Sequence, residues 1–261
     1  MAMFAAAAHP LTFYLPVILM AASLLAAIGI GTLFFLKRSG ELRANCLYGA
    51  LLIASGLTQL HFLFLFSGLT DRYPPLEFLP IYFTLWLPVL LFFHVKISLY
   101  PNYRLRIGDL KHFIFPFAQL LFFVGIWLFP EFRRPEGRYF YSPFYGGLEQ
   151  ALYLVIWPAY IVFSYQYLRR RRAKLRRKTM PRLVWYLRKL LKGSMLFVIA
   201  YAILALSDFI SYNYFFVDMR DRQWYAAMQS LSYTVLVVWL SIYGFQVLLW
   251  GRRLLRRSET A

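Results

Sequence analysis

Cysteine is nearly absent from this chain. Cys46 is the only one among 261 residues, so no intrachain disulfide forms and the loops depend on packing and hydrogen bonds. Acid is scarce too: 11 Asp and Glu stand against 29 Lys and Arg, a formal net charge of +18. Charged residues make up only 15% of a chain that is 61% hydrophobic, a composition that excludes an ordinary soluble domain. No Gly-rich phosphate loop, serine elbow or His-Glu-x-x-His motif occurs, and no His/Cys/Asp/Glu cluster has zinc or di-iron spacing. We therefore expect no enzyme activity, no metal and no cofactor.

Two cofactor classes common in helical membrane proteins fail on chemistry. A bis-imidazole haem needs two histidines at one level, but His61 and His94 lie roughly 10 Å and roughly 24 Å below the outer ends of their runs by rise per residue. A retinal chromophore needs a lysine in the last apolar run, and Tyr225 to Leu249 contains none.

What the chain has is apolar length. Seven runs, at about 11–36, 45–68, 78–99, 111–129, 147–168, 192–214 and 225–249, approach the roughly 20 residues that a spanning helix requires, and none alternates like a barrel strand. The expectation is an all-α polytopic membrane protein, a seven-transmembrane helix bundle over residues 1–250 with a basic tail at 251–261. The first run lacks a positive n-region and is too long for a cleaved signal, so it reads as a retained span. Loops on one side, including the tail, hold 23 Lys and Arg against three acids, while the other side is nearly neutral. The positive-inside bias then places the amino terminus out and the carboxyl terminus in, in a bacterial inner membrane.

Most of that charge lies in Arg169 to Lys192: Arg169, Arg170, Arg171, Arg172, Lys174, Arg176, Arg177, Lys178, Arg182, Arg188, Lys189 and Lys192, without one acid. Between two apolar runs such a tract reads as a surface for anionic lipid headgroups or a protein partner, and nucleic acid is not expected. From Pro181, Leu183, Leu187, Leu190 and Leu191 form one stripe, which predicts a short interfacial helix leading into the sixth span. Aromatics at Tyr139, Phe140, Tyr141, Phe144 and Tyr145 read as an interfacial belt, or as a lid over an outward pocket. Pro80, Pro88, Pro116 and Pro158 fall within spans and each is expected to remove a backbone hydrogen bond.

Polar groups inside spans are costly and mark candidate sites. Gln59, His61, Glu149, Gln150, Asp208 and Gln229 all fall within about three turns of the outer ends of their spans. Facing inward they would line one outward polar pocket for a small ligand or lipid; otherwise Asp208 and His61 join helices, each with one partner. Lys96 is expected to snorkel to headgroups, and Asp109 to pair with Arg104, Arg106 or Lys111.

The segment from Leu79 to Phe117 carries His94, Val95 and Lys96, then Pro101, Tyr103, Arg104, Leu105 and Arg106, then Asp109, Leu110, His112, Phe113 and Pro116. With WYLRKLLKG at Trp185 to Gly193 and YGFQVLLW at Tyr243 to Trp250, it resembles the membrane-embedded amino-terminal domain of bacterial AraC-type transcriptional regulators, over roughly residues 40–250. His94 stands where those proteins have an aromatic residue. The resemblance implies a seven-helix sensory or signal-transmitting domain. Its members continue into a DNA-binding helix-turn-helix region, whereas this chain ends at Ala261, so it is expected to be part of a longer regulator or to act with a separate partner. The function expected is a receptor-like, signal-transmitting membrane domain, alone or as a homodimer. The alternatives are an accessory subunit of a membrane complex and a small proton-coupled transporter or channel.

Overall fold

The computed structural model describes residues 10–38, 40–129, 147–174, 181–217, 219 and 222–258. Among them it is helical, without a strand. The helices are α1 (Pro10–Leu36), α2 (Leu42–Phe66), the single turn α3 (Leu69–Arg72), α4 (Trp86–Leu99), α5 (Ile114–Leu128), α6 (Gly147–Lys174), α7 (Pro181–Phe215) and α8 (Gln223–Ser258), with 3-10 segments at Pro74–Phe78 and Ile107–Phe113. Six segments are long and apolar enough to cross a membrane: Phe13–Leu36, Leu42–Phe66, Ile107–Leu128, Ala151–Arg170, Leu183–Tyr212 and Trp224–Leu249. This is a multi-pass membrane protein. The third apolar run, expected to be helical from 78, is helical only over the 14 residues of α4, a rise of about 21 Å.

Helices α2, α4, α6, α7 and α8 pack each against the next in a closed ring, and α1 lies in the groove between α2 and α8. Glycine permits the closest approach. A Cβ on Gly31 would stand 3.0 Å from the Gly49 carbonyl oxygen, and one on Gly49 would stand 2.9 Å from that of Gly31, so α1 and α2 cross backbone to backbone. The core joins Tyr48, Leu51 and Leu52 of α2 to Trp157 of α6, Leu187 and Leu190 of α7, and Val237 and Leu240 of α8. Helix α4 is buried on every side: only Trp86 and Ser98 escape among its residues.

Two expectations need correction. The stripe of Leu187, Leu190 and Leu191 is there, but it belongs to the uninterrupted 35-residue α7 and is at most 1% exposed. It faces the core of the bundle, because the apolar side of a long helix seeks protein before headgroups. Pro88 and Pro116 are the third residues of α4 and α5, where the missing N–H has no intrahelical acceptor in any case; among the described residues, Pro16 and Pro158 lie inside helices. Helix α8 continues to Ser258, beyond the apolar span that ends at Leu249.

Candidate functional site

The third apolar run is not one helix. The ring of Pro88 would clash with the carbonyl of residue 84 if a helix continued upstream, and starting at Trp86 avoids the clash. Pro80 likewise holds Leu79 extended, at φ −55° and ψ 137°. Between them, residues 80–85 form turns and irregular backbone, although Tyr82, Thr84 and Leu85 are buried.

Irregular backbone among apolar helices needs partners for its polar groups. Two neighbouring helices supply them. The Phe83 N–H donates to Thr58 Oγ1 of α2 at 2.9 Å, and the Leu85 N–H donates to Gln119 Oε1 of α5 at 3.1 Å. The Gln119 amide in turn donates to Thr84 Oγ1 at 2.9 Å, so its side chain grips the segment twice. Aromatic rings close the rest: Tyr82 lies 4.8 Å from His61 and 5.3 Å from Phe123, centroid to centroid.

The residues expected to form an outward pocket distribute as follows. Gln59 is fully buried and donates to Thr234 Oγ1 of α8 at 3.1 Å, while its Oε1 has no hydrogen-bond partner among the described residues. His61 is fully buried and faces Tyr82 and Phe123. Two residues apart on a helix, the pair point about 200° apart, so they serve different neighbours. Asp208 is 2% exposed on α7, which packs on α6 and α8, and Gln229 is half-buried on α8. The side chains of Glu149 and Gln150, at the start of α6, and the aromatics from Tyr139 to Tyr145 lie outside the described part.

The opposite, basic end of α4 carries a second constellation. Lys96 is only 7% exposed. Its Nζ stands 3.8 Å from the ring centroid of Tyr103 and within 5.6 Å of those of Phe92, Phe93 and Tyr167, with Asp109 Oδ1 at 3.6 Å. It does not snorkel, because the loop folds a carboxylate and a ring over it. Asp109 also accepts from the Tyr103 hydroxyl and, at 2.8 Å, from the Arg106 backbone N–H; its ionic partner is Lys96 rather than Arg104, Arg106 or Lys111. Burial first, then the Asp109 hydrogen bond, raises the Tyr103 hydroxyl above its ordinary pKa. From α2, Arg43 donates to the carbonyls of Pro101 and Tyr103, and His94 Nδ1 is 2.9 Å from the Ala44 carbonyl oxygen. His112 Nδ1 lies 2.7 Å from the Tyr160 hydroxyl of α6.

Gln119, Thr58, Thr84 and Thr234 are not among the residues expected to form a site. Two prolines eight residues apart in one apolar run are the signal that could have found them. Of the basic stretch, Arg176, Arg177 and Lys178 lie outside the described residues, as do the side chains of Arg171, Arg172, Lys174 and Arg182. Arg169, Arg170 and Lys189 are exposed, Lys192 is exposed and Arg188 is half-buried. Among the described residues no group of three or more metal-ligating side chains occurs. No family model, curated protein or solved structure matches this chain.

Proposed function

We propose that this protein is a signal-transmitting membrane domain in which α4 couples a polar clamp at one end of the bundle to the basic surface at the other. The carrying observation is the pair of constellations at the two ends of one buried helix. At one end, irregular backbone is held by Thr58 and Gln119; at the other, Lys96 is locked to the loop at Tyr103 and Asp109. Such a segment has a second arrangement available when a ligand competes for its few side-chain partners. In helical membrane proteins, interrupted spans lie where backbone lines a site. The orientation proposed is amino terminus out, clamp outward and basic surface to the cytoplasm of a bacterial inner membrane, with the third run crossing as unwound segment plus α4. A small molecule or lipid is the input, and headgroups or a partner protein receive the output.

Cys46 provides the test. It is the only thiol, half-buried on α2 two residues from Ala44, which holds His94 of α4. Thr58→Val and Gln119→Leu stand in for the unknown ligand by releasing the clamp. The reading expects both to change the rate of Cys46 alkylation in the purified, folded protein. An unchanged rate in both variants would sink it.

A further inference from the structure

Helices α7 and α8 enclose an open cleft of about 20 Å³ between Tyr186, Lys189, Trp239, Ile242, Tyr243 and Gln246, beside the basic stretch. Its free polar groups are donors. Gln246 Oε1 already accepts from the Tyr186 hydroxyl, which leaves the Gln246 amide N–H groups. Among the described residues the Tyr243 hydroxyl finds no acceptor and Lys189 no acid. The Nε1 edge of Trp239 packs against Gly193, so its indole walls the cleft without adding a donor to it. No carboxylate lines the cleft. Lys189 Nζ is held at its mouth, 5.5 Å from the ring centroid of Trp185 and 5.8 Å from that of Trp239.

A void lined by a lysine cation and by free amide N–H and hydroxyl O–H groups, with no carboxylate, suits an anion. The void holds about one water-sized group, so a single oxyanion oxygen enters while the rest of the ligand stays at the mouth against Lys189. Beside that mouth, Trp185 and Ile242 are 57% and 48% exposed, an indole and an aliphatic surface suited to a glycerol backbone and acyl chain. We propose that this cleft is a phosphate-oxyanion site that takes the headgroup of an anionic phospholipid. It deepens the output side of the proposed reading, since Lys189 is one of the cations of the basic surface, but neither the clamp nor the Lys96 cage contributes to it.

The experiment is native mass spectrometry of the full chain titrated with phosphatidylglycerol, with phosphatidylcholine as the neutral reference. Lys189→Gln is expected to weaken phosphatidylglycerol binding about fivefold, the worth of one surface cation, and Lys189→Arg to retain it. Tyr243→Phe removes no charge and keeps the ring, yet is expected to weaken binding as well, whereas Lys111→Gln, at an exposed loop cation, leaves it unchanged. Equal losses in Lys111→Gln and Lys189→Gln, or full binding in Tyr243→Phe, would overturn the site. A parallel titration with inorganic phosphate separates the sources. Lipid binding that free phosphate does not displace supports the headgroup, and displacement by phosphate with no preference for the lipid overturns the lipid assignment.

Discussion

Lys96 shares its cage with a single carboxylate, and both depend on a loop that would otherwise be free. Replacing Lys96 with Met keeps the stem and removes the cation–π and ionic contacts, which are worth about 0.5–2 kcal/mol at such a site. Tyr103 and Asp109 then lose their anchor, and tryptic cleavage after the exposed Arg104 and Arg106 is expected to accelerate several-fold. Cleavage at the native rate would show that Arg43 alone holds the loop. A second residue-scale prediction concerns Gly193. A Cβ there would lie 2.2–2.5 Å from the indole of Trp239, so Gly193→Ala must displace a rigid ring. We expect a loss of about 1–3 kcal/mol, read as a lowered thermal midpoint and largely recovered when Trp239→Phe is added. Neither feature was legible in the sequence. Lys96 near the end of an apolar run looks like any snorkelling lysine, and only the fold brings Asp109 back over it, thirteen residues on. In the fold Lys96, Tyr103, Asp109 and the Arg106 backbone meet in one knot.

At the scale of elements, the unwound segment before α4 is the departure from a plain bundle. Two prolines disfavour a continuous helix, and two side chains make the interruption tolerable. Thr58→Val orphans the Phe83 N–H and Gln119→Leu orphans that of Leu85, each at a cost of about 1–3 kcal/mol where the group stays buried. Both variants are expected to unfold at lower temperature than the wild type, and a control such as Ser67→Ala, in a part-buried turn, is not. Many boundaries could be read from apolar length alone: the ends of α1, α2 and α5 fall within a few residues of expectation. What length cannot report is the direction a stripe faces. The leucines of α7 have the periodicity of an interfacial helix and of a core helix alike, and packing decided for the core.

Among the described residues α2, α4, α6, α7 and α8 form a ring, with α1 and α5 outside it. If the unwound segment and α4 together cross the membrane, Asp71 and Lys111 lie on opposite sides. If they re-enter, both lie on one side. Both residues are exposed. In a Cys46→Ala background, a membrane-impermeant maleimide applied to intact cells is expected to label Asp71→Cys and to spare Lys111→Cys.

The central claim, that α4 couples the clamp to the basic end, is tested most directly by hydrogen exchange of the lipid-embedded protein in wild type and Thr58→Val/Gln119→Leu. Coupling predicts faster exchange in residues 80–85 and also in the loop from Tyr100 to Phe113, with α1 unchanged. Faster exchange confined to residues 80–85, with the Lys96–Asp109 loop protected as before, would contradict it.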